Sequence, residues 1–321
     1  MFNRNITCSQ KIIITDGIPS SGKSLACNLI SSLPKVDPFV LNHNIEHIIG
    51  LNKLGILKND ISEYLIKTNH NVFFHDHLLL RNANFRKSDF TSIQKNPKYH
   101  ILKQRLDSDE NKVIKKNKDK VIAHYCLHFA THTKKILFQT FKNKLLFIQV
   151  LRSPSTLTMI KRIADWTLQI EKSKSRDGHL KFFDKKSKKN FPYFIKDKSK
   201  EYLSANKYEK AIMIIDKYIN IKIINETKYS KNFKSNEVVI PFENLCEEPK
   251  KYLTKISKMI NSKIDHFALT SIKKNYLPRH INIEKEKVTT LKYLKNKIRL
   301  KYYQKILKLQ NLYENKILNQ F

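Results

Sequence analysis

The sequence predicts an α/β architecture: a central, mainly parallel β-sheet flanked by helices, with helical insertions and a C-terminal helix. Three observations predict it. Apolar, β-branched segments at Ile12–Ile14, within Lys144–Pro154 and within Asn236–Leu245 have the near-continuous hydrophobicity of strands buried on both faces. Leu25, Cys27, Leu29 and Ile30 then supply the apolar face of a helix after the first of these strands. Between strand and helix lie Gly17, Pro19, Ser20, Ser21 and Gly22, the residue types that turn a chain. With 321 residues, 40% hydrophobic and 10% aromatic, the chain can bury a sizeable core, and we expect one domain over residues 9–321.

The first element carries the chemistry. Gly17 and Gly22 bracket four residues and are followed by Lys23 and Ser24, which satisfies the phosphate-loop pattern G-x-x-x-x-G-K-[ST]. Such a loop needs glycine where backbone N–H groups converge on an anion, a helix N-terminus aimed at it, and a lysine as point charge. A nucleoside triphosphate is the default ligand, and an acid ending another strand should then hold Mg²⁺. The later strands end instead in Arg152 and in Glu243. A guanidinium at the carboxyl end of a parallel strand suits a second phosphate. Glu243, between Phe242 and Leu245, reads as a structural hydrogen-bond acceptor.

On these residues the chain resembles the P-loop sulfotransferases of bacterial type, which use 3′-phosphoadenosine 5′-phosphosulfate (PAPS) as donor. Their first motif, G-x-P-[RK]-S-G-T-T, is met by Gly17, Pro19, Ser21 and Gly22, with Ser20 in place of the usual basic residue and Lys23 in place of Thr. Arg152 and Pro154 match a strand ending in R-x-P; the serine expected eight residues after the arginine is Ile160, so Thr156 or Thr158 substitutes for it. Phe242-Glu243-Asn244-Leu245 and the helix after Glu248-Pro249, about Lys250 to Ile260, are similar to the family's third strand and Pro-led helix, and Pro192 to Tyr218 to its helical insertion. The resemblance implies that residues 17–24 hold the phosphosulfate, that Arg152 with Thr156 or Thr158 binds the 3′-phosphate, and that no metal is required.

Transfer to a hydroxyl needs a base and cations for the leaving phosphate. Lys23 supplies the charge. For the base the sequence offers His124, which Val121–Ala123 would deliver to a strand end, as in the family, and Glu46, the acid shortly after the loop that some members use. His128 and His132 follow His124 at four-residue intervals and would share a helix face. His75 and His77 flank Asp76; two imidazoles without a third ligand are poor evidence for zinc, and a strand-end or loop role is expected. Arg81 and Arg86 are further candidates for an anionic donor or for ordinary surface charge.

The formal charge of +34 rests on lysine spread from end to end alongside abundant Asn and Ile, as A- and T-rich codons produce, so we expect no nucleic-acid partner. An acidic donor or an anionic membrane surface remains compatible with it. Cys8, Cys27, Cys126 and Cys246 show no C-x-x-C spacing, which argues for reduced thiols and a cytoplasmic location, and no run reaches the length of a membrane span. Asp107–Lys120 reads as an exposed connection or a solvated helix face, and 172–190 as a mobile lid. From Glu284 to Phe321, Leu291, Leu294, Ile298, Tyr302, Ile306, Leu309 and Tyr313 form one helical stripe that packs on the domain.

The sequence thus leads to a PAPS-dependent sulfotransferase acting on a hydroxyl of a carbohydrate or small molecule. An ATP-dependent small-molecule kinase and a non-catalytic nucleotide- or polyanion-binding protein are the alternatives. Acceptor and oligomeric state are not encoded in any readable motif.

Overall fold

A computed structural model describes residues 4–6, 11–89, 91–172, 179–228 and 236–320. Strands β1 (Ile12–Asp16), β2 (Val40–Leu41), β3 (Ala123–Leu127), β4 (Leu145–Leu151) and β7 (Glu237–Pro241) form a five-stranded sheet in the order β2-β3-β1-β4-β7, with every neighbouring pair parallel. A separate antiparallel hairpin pairs β5 (Lys181–Asp184) with β6 (Lys189–Pro192). The first helices are α1 (Lys23–Ser31), α2 (His43–Lys53), α3 (Asn59–Leu78), α4 (Tyr99–Lys103), α5 (Glu110–Asn117), α6 (Lys134–Phe141) and α7 (Leu157–Glu171). They are followed by α8 (Ser199–Ser204), α9 (Lys207–Lys228), α10 (Phe242–Glu247), α11 (Pro249–Met259), α12 (His266–Lys274), α13 (Ile283–Leu294) and α14 (Leu300–Lys316).

The expected α/β fold is present. β1 and β4 are buried along their whole length, because helices cover both faces. Ile13, Ile148 and Ile240 point to the layer of α1 and α11, and Ile12, Ile14 and Phe147 to the layer of α3 and α6. Winding reverses around β1, with β3 on one side and β4 on the other. That arrangement opens a crevice beyond the carboxyl ends of the central strands.

Several expectations change. The segment 172–190 is in part ordered: β5 lies within it and β6 begins in it, while residues 173–178 lie outside the described residues. The C-terminal stripe is two helices broken at residues 295–299, although Leu294, Tyr302, Ile306, Leu309 and Tyr313 are buried against α7 and α9 as its spacing required. His75 to His77 lie on a helix, so the two rings diverge: His75 is exposed, and buried His77 pairs with Asn82. Arg81 pairs with Glu110 and Arg86 lies near Asp89, both at the surface. Asp107–Lys120 contributes the solvated helix α5. Cys27, Cys126 and Cys246 are free thiols, and Cys8 lies outside the described residues, as does the expected domain start at residue 9. Among the described residues, no helix is long and apolar enough to cross a membrane.

Candidate active site

Four strands deliver their next residues to one cleft of about 790 Å³. After β1 come Pro19, Ser20, Gly22, Lys23 and Ser24; after β3, His128; after β4, Arg152; after β7, Phe242. The register explains the convergence: Asp16 pairs with Leu127 on one side and with Gln149 on the other, so the strands end nearly level.

The loop needs both its glycines. Gly22 sits at φ +90°, and a Cβ there would lie 2.0 Å from Cδ2 of Phe242; at Gly17 a Cβ would lie 2.4 Å from Ser21 Oγ. Ser20 also adopts a positive φ, 60°. Gly22→Ala is therefore expected to cost about 1–3 kcal/mol in strain, read as a lower thermal midpoint. It should also weaken anion binding, because the displaced Phe242 ring carries the Arg152 guanidinium 4.4 Å above its centre.

Helix α1 starts at Lys23 with no side-chain cap, which leaves its first N–H groups directed at the cleft. Buried Lys23 donates from Nζ to the Gly17 carbonyl across 2.9 Å. Gly17 and Ser21 lie beneath the cleft surface, with Ser21 fully buried. Arg152 donates from Nη1 to the Ser20 carbonyl at 3.3 Å and sits 3.5 Å from Glu286, while its buried Nε finds no protein partner. Its backbone is held by Glu243, whose Oε1 accepts from Ser153 N and whose Oε2 accepts from Tyr313 Oη at 2.5 Å, the structural use expected for that acid.

Of the two threonines, Thr158 lines the cleft and Thr156 does not: Thr156 is buried and donates to Glu286 at 2.9 Å. Ile160 is fully buried in the core, so the position the family fills with serine has no access to the cleft.

His124 is not at a strand end. β3 runs on to Leu127, so His124 lies at its second residue, paired with Ile13 and 1% exposed. Thr15 Oγ1 and Ser31 Oγ lie 2.9 Å from Nε2 and Nδ1, so both ring nitrogens are engaged inside the protein. Burial, with Lys98 and His77 nearby, pushes its pKa down to about 3. The residue that leaves the strand end is His128, which lines the cleft beside Lys23. His132 does not share a helix face with it; it is buried in a 3-10 turn, stacked on Phe194 with ring centres 5.2 Å apart.

Glu46 stands behind His128. Asn42 caps α2 by accepting from Ile45 N, which presents Glu46 in the first turn. Oε1 of Glu46 accepts from His128 N at 2.6 Å and lies 3.0 Å from His128 Nδ1; Oε2 lies 3.0 Å from His43 Nδ1. Although Glu46 is buried, these histidines hold its carboxyl well below the usual carboxylate range. An ionised carboxylate at Nδ1 assigns the proton there and leaves Nε2 as the basic nitrogen. Burial chiefly, and Lys23 next, push the His128 pKa down, and Glu46 opposes them in part. The turn that follows is fixed by buried Asp16, whose carboxylate accepts from Ala130 N, Thr131 N, Thr131 Oγ1 and Tyr218 Oη.

Sequence reasoning missed part of the lining. Arg162 is one turn beyond Thr158 on α7, an i, i+4 relation that could have found it. Lys274, Tyr276 and Arg279 arrive from the end of α12 and the following loop, which no motif marks. Among the described residues the cleft is lined by five cations and no carboxylate.

No protein-family model and no curated protein matches the chain. Among solved structures it is similar to the sulfotransferase domain from the Synechococcus PCC 7002 olefin synthase, with a TM-score of 0.47 and 10% identity, covering 97% of each chain. It is also similar to the sulfotransferase domain from the curacin biosynthetic pathway, with a TM-score of 0.44 and 11% identity over 94% of this chain and 97% of that one. For sulfotransferase STF9 from Mycobacterium avium the TM-score is 0.39, at 9% identity over 91% of this chain and 78% of the other. At this level of likeness, a functional reading rests on the chain's own residues.

Proposed function

We propose that the protein is a sulfotransferase that moves the sulfuryl group of PAPS to a hydroxyl of a small-molecule or carbohydrate acceptor. The observation that carries this reading is a cleft lined by five cations, with a carboxylate-oriented histidine at its edge. Residues 17–24 and the first N–H groups of α1 would hold the 5′-phosphosulfate, with Lys23 leaving the Gly17 carbonyl to meet the bridging oxygen. Arg152, whose Nε is buried without a protein partner, would take the 3′-phosphate together with Thr158 and Arg162. Exposed Tyr276 at the cleft rim offers a ring on which a base can stack.

In the reaction, the acceptor oxygen attacks sulfur in line with the leaving phosphate. The new O–S bond forms as the bond from sulfur to the bridging oxygen breaks, and 3′,5′-adenosine bisphosphate leaves. The hydroxyl proton passes to His128 Nε2, and the imidazolium so formed is stabilised by Glu46 at Nδ1. His128 therefore takes the role that the sequence assigned to His124, with Glu46 as its orienting partner. No metal enters this step. A cytoplasmic location fits the three free thiols.

Calorimetric titration with 3′,5′-adenosine bisphosphate, against ATP with Mg²⁺, tests the reading. Bisphosphate should bind more tightly, and Arg152→Ala should weaken it by about 10–100-fold, the cost of one charge-assisted phosphate contact. Preference for Mg-ATP, unaffected by Arg152→Ala, would overturn the assignment in favour of a kinase.

A further inference from the structure

Three histidines converge on one carboxylate behind the cleft. One ring nitrogen each of His43 and His128 and a carboxylate oxygen of Glu46 all lie within 4.8 Å of one another. His179, just before β5, brings its Nδ1 to 3.9 Å from Glu46 Oε2. The rings of His43 and His128 are stacked within 12° of parallel, and that of His179 stands on edge to both, at centre distances of 5.9 and 5.3 Å. Two imidazoles and a buried carboxylate this close, with a third imidazole beside them, offer the donor types of a first-row divalent ion.

We propose that His43, Glu46 and His128, with His179 as fourth donor, bind a divalent transition-metal ion of the zinc class, and that the bound ion switches the proposed base off. Zinc holds nitrogen and carboxylate oxygen at about 2.0–2.1 Å, which for tetrahedral geometry sets neighbouring donors about 3.4 Å apart. His43 and His128 each stand 3.0 Å from a different Glu46 oxygen and His179 stands 3.9 Å from one, all within about half an ångström of that spacing. The scaffold favours such a site: His43 and Glu46 are one turn apart on α2 behind the Asn42 cap, and Asn42 is itself anchored by Asn69. Entry is open, since the His43 side chain is 39% exposed while that of Glu46 is 7% exposed.

Ligation changes the tautomer. In the metal-free state His128 carries its proton on Nδ1, facing Glu46. An ion bound at Nδ1 takes that lone pair, so the ring proton resides on Nε2. A neutral ring neither gains nor loses a proton in this exchange, but Nε2 can no longer accept one from an acceptor hydroxyl. The metal site stands on its own geometry; only the inhibition rests on the sulfotransferase reading.

The test uses the full chain and its single tryptophan, Trp166, whose ring centre is 5.0 Å from that of His179. Titration with Ni²⁺ or Co²⁺ should quench Trp166 emission to saturation at one ion per chain, and Zn²⁺ should reverse the quenching by competition. His43→Gln and His179→Gln, both at partly exposed positions, should each weaken binding by at least about 10-fold, with folding checked by circular dichroism. Absence of saturable quenching, or quenching unchanged in both variants, overturns the site. Bisphosphate titration of the same samples separates the two readings. Metal binding without bisphosphate binding sinks the transfer reaction alone, and the reverse sinks the metal site alone.

Discussion

Replacing His128 by Asn should lower turnover by about 10²–10⁴-fold while leaving the affinity for 3′,5′-adenosine bisphosphate within a few-fold of the unaltered protein. The range is that of a general base removed from a site whose binding groups remain. Asn can keep a hydrogen bond to Glu46 but offers no basic nitrogen to the acceptor. Glu46→Gln should act in the same direction and less strongly, because it leaves Nε2 in place but loses the charge that fixes the tautomer and stabilises the imidazolium. The pH profile gives an independent readout. Burial and Lys23 push the His128 pKa down, so the acid limb of kcat/KM should lie below the ordinary histidine value near 6.5. His124→Asn is the control: it touches Thr15 and Ser31 in the interior, so it should lower stability with little change in the turnover of the folded protein. Full activity in the His128 variant, or loss confined to the His124 variant, would return the base to His124.

The exchange of His124 for His128 shows where the sequence is readable. The first loop is legible because each residue answers a local demand: Gly22 at φ +90° against Phe242, a lysine beside Gly17, a strand before and a helix after. The sequence places the end of β3 too early because the apolar signal of Val121 and Ile122 is stronger than that of the polar residues that follow. His124, Tyr125 and Cys126 form the strand interior only because Thr15, Ser31 and His70 come from distant segments to satisfy their polar atoms. A periodicity of two cannot report such partners, and a strand-end error of four residues moves the assignment from one histidine to another. The same limit hides Lys274, Tyr276 and Arg279. They reach the cleft because α12 packs beside α1, a tertiary fact with no local trace. The C-terminal stripe was readable in its periodicity and not in its break, since 295–299 holds neither Gly nor Pro. Stepwise burial of Leu294, Tyr302, Ile306, Leu309 and Tyr313 preserves the pattern across the turn.

Acidification from pH 7 to pH 5 should destabilise the fold by roughly 6 kcal/mol, a large share of the about 5–15 kcal/mol typical of a folded protein. The source is three buried histidines. His70 lies against Tyr125, His124 between Thr15 and Ser31, and His132 on Phe194; in each case burial is the main cause of a pKa lowered to about 3. The unfolded chain protonates the same rings near 6.5. Between these values the unfolded state binds more protons, so stability is full above about pH 6.5 and is lost as pH falls, at up to about 1.4 kcal/mol per pH unit for each ring. At pH 5 each ring has cost about 2 kcal/mol, and below the folded pKa near 3 the loss levels off. Urea midpoints followed by Trp166 emission across this range would show the slope. His132 isolates one ring's share, because its Nε2 makes no hydrogen bond within the protein and a phenyl ring can keep the stack on Phe194. His132→Phe should therefore remove about a third of the slope and leave the neutral-pH stability close to that of the unaltered chain. An unchanged slope in that variant would show that His132 is not protonated on unfolding in this range, and would leave the acid sensitivity to His70 and His124.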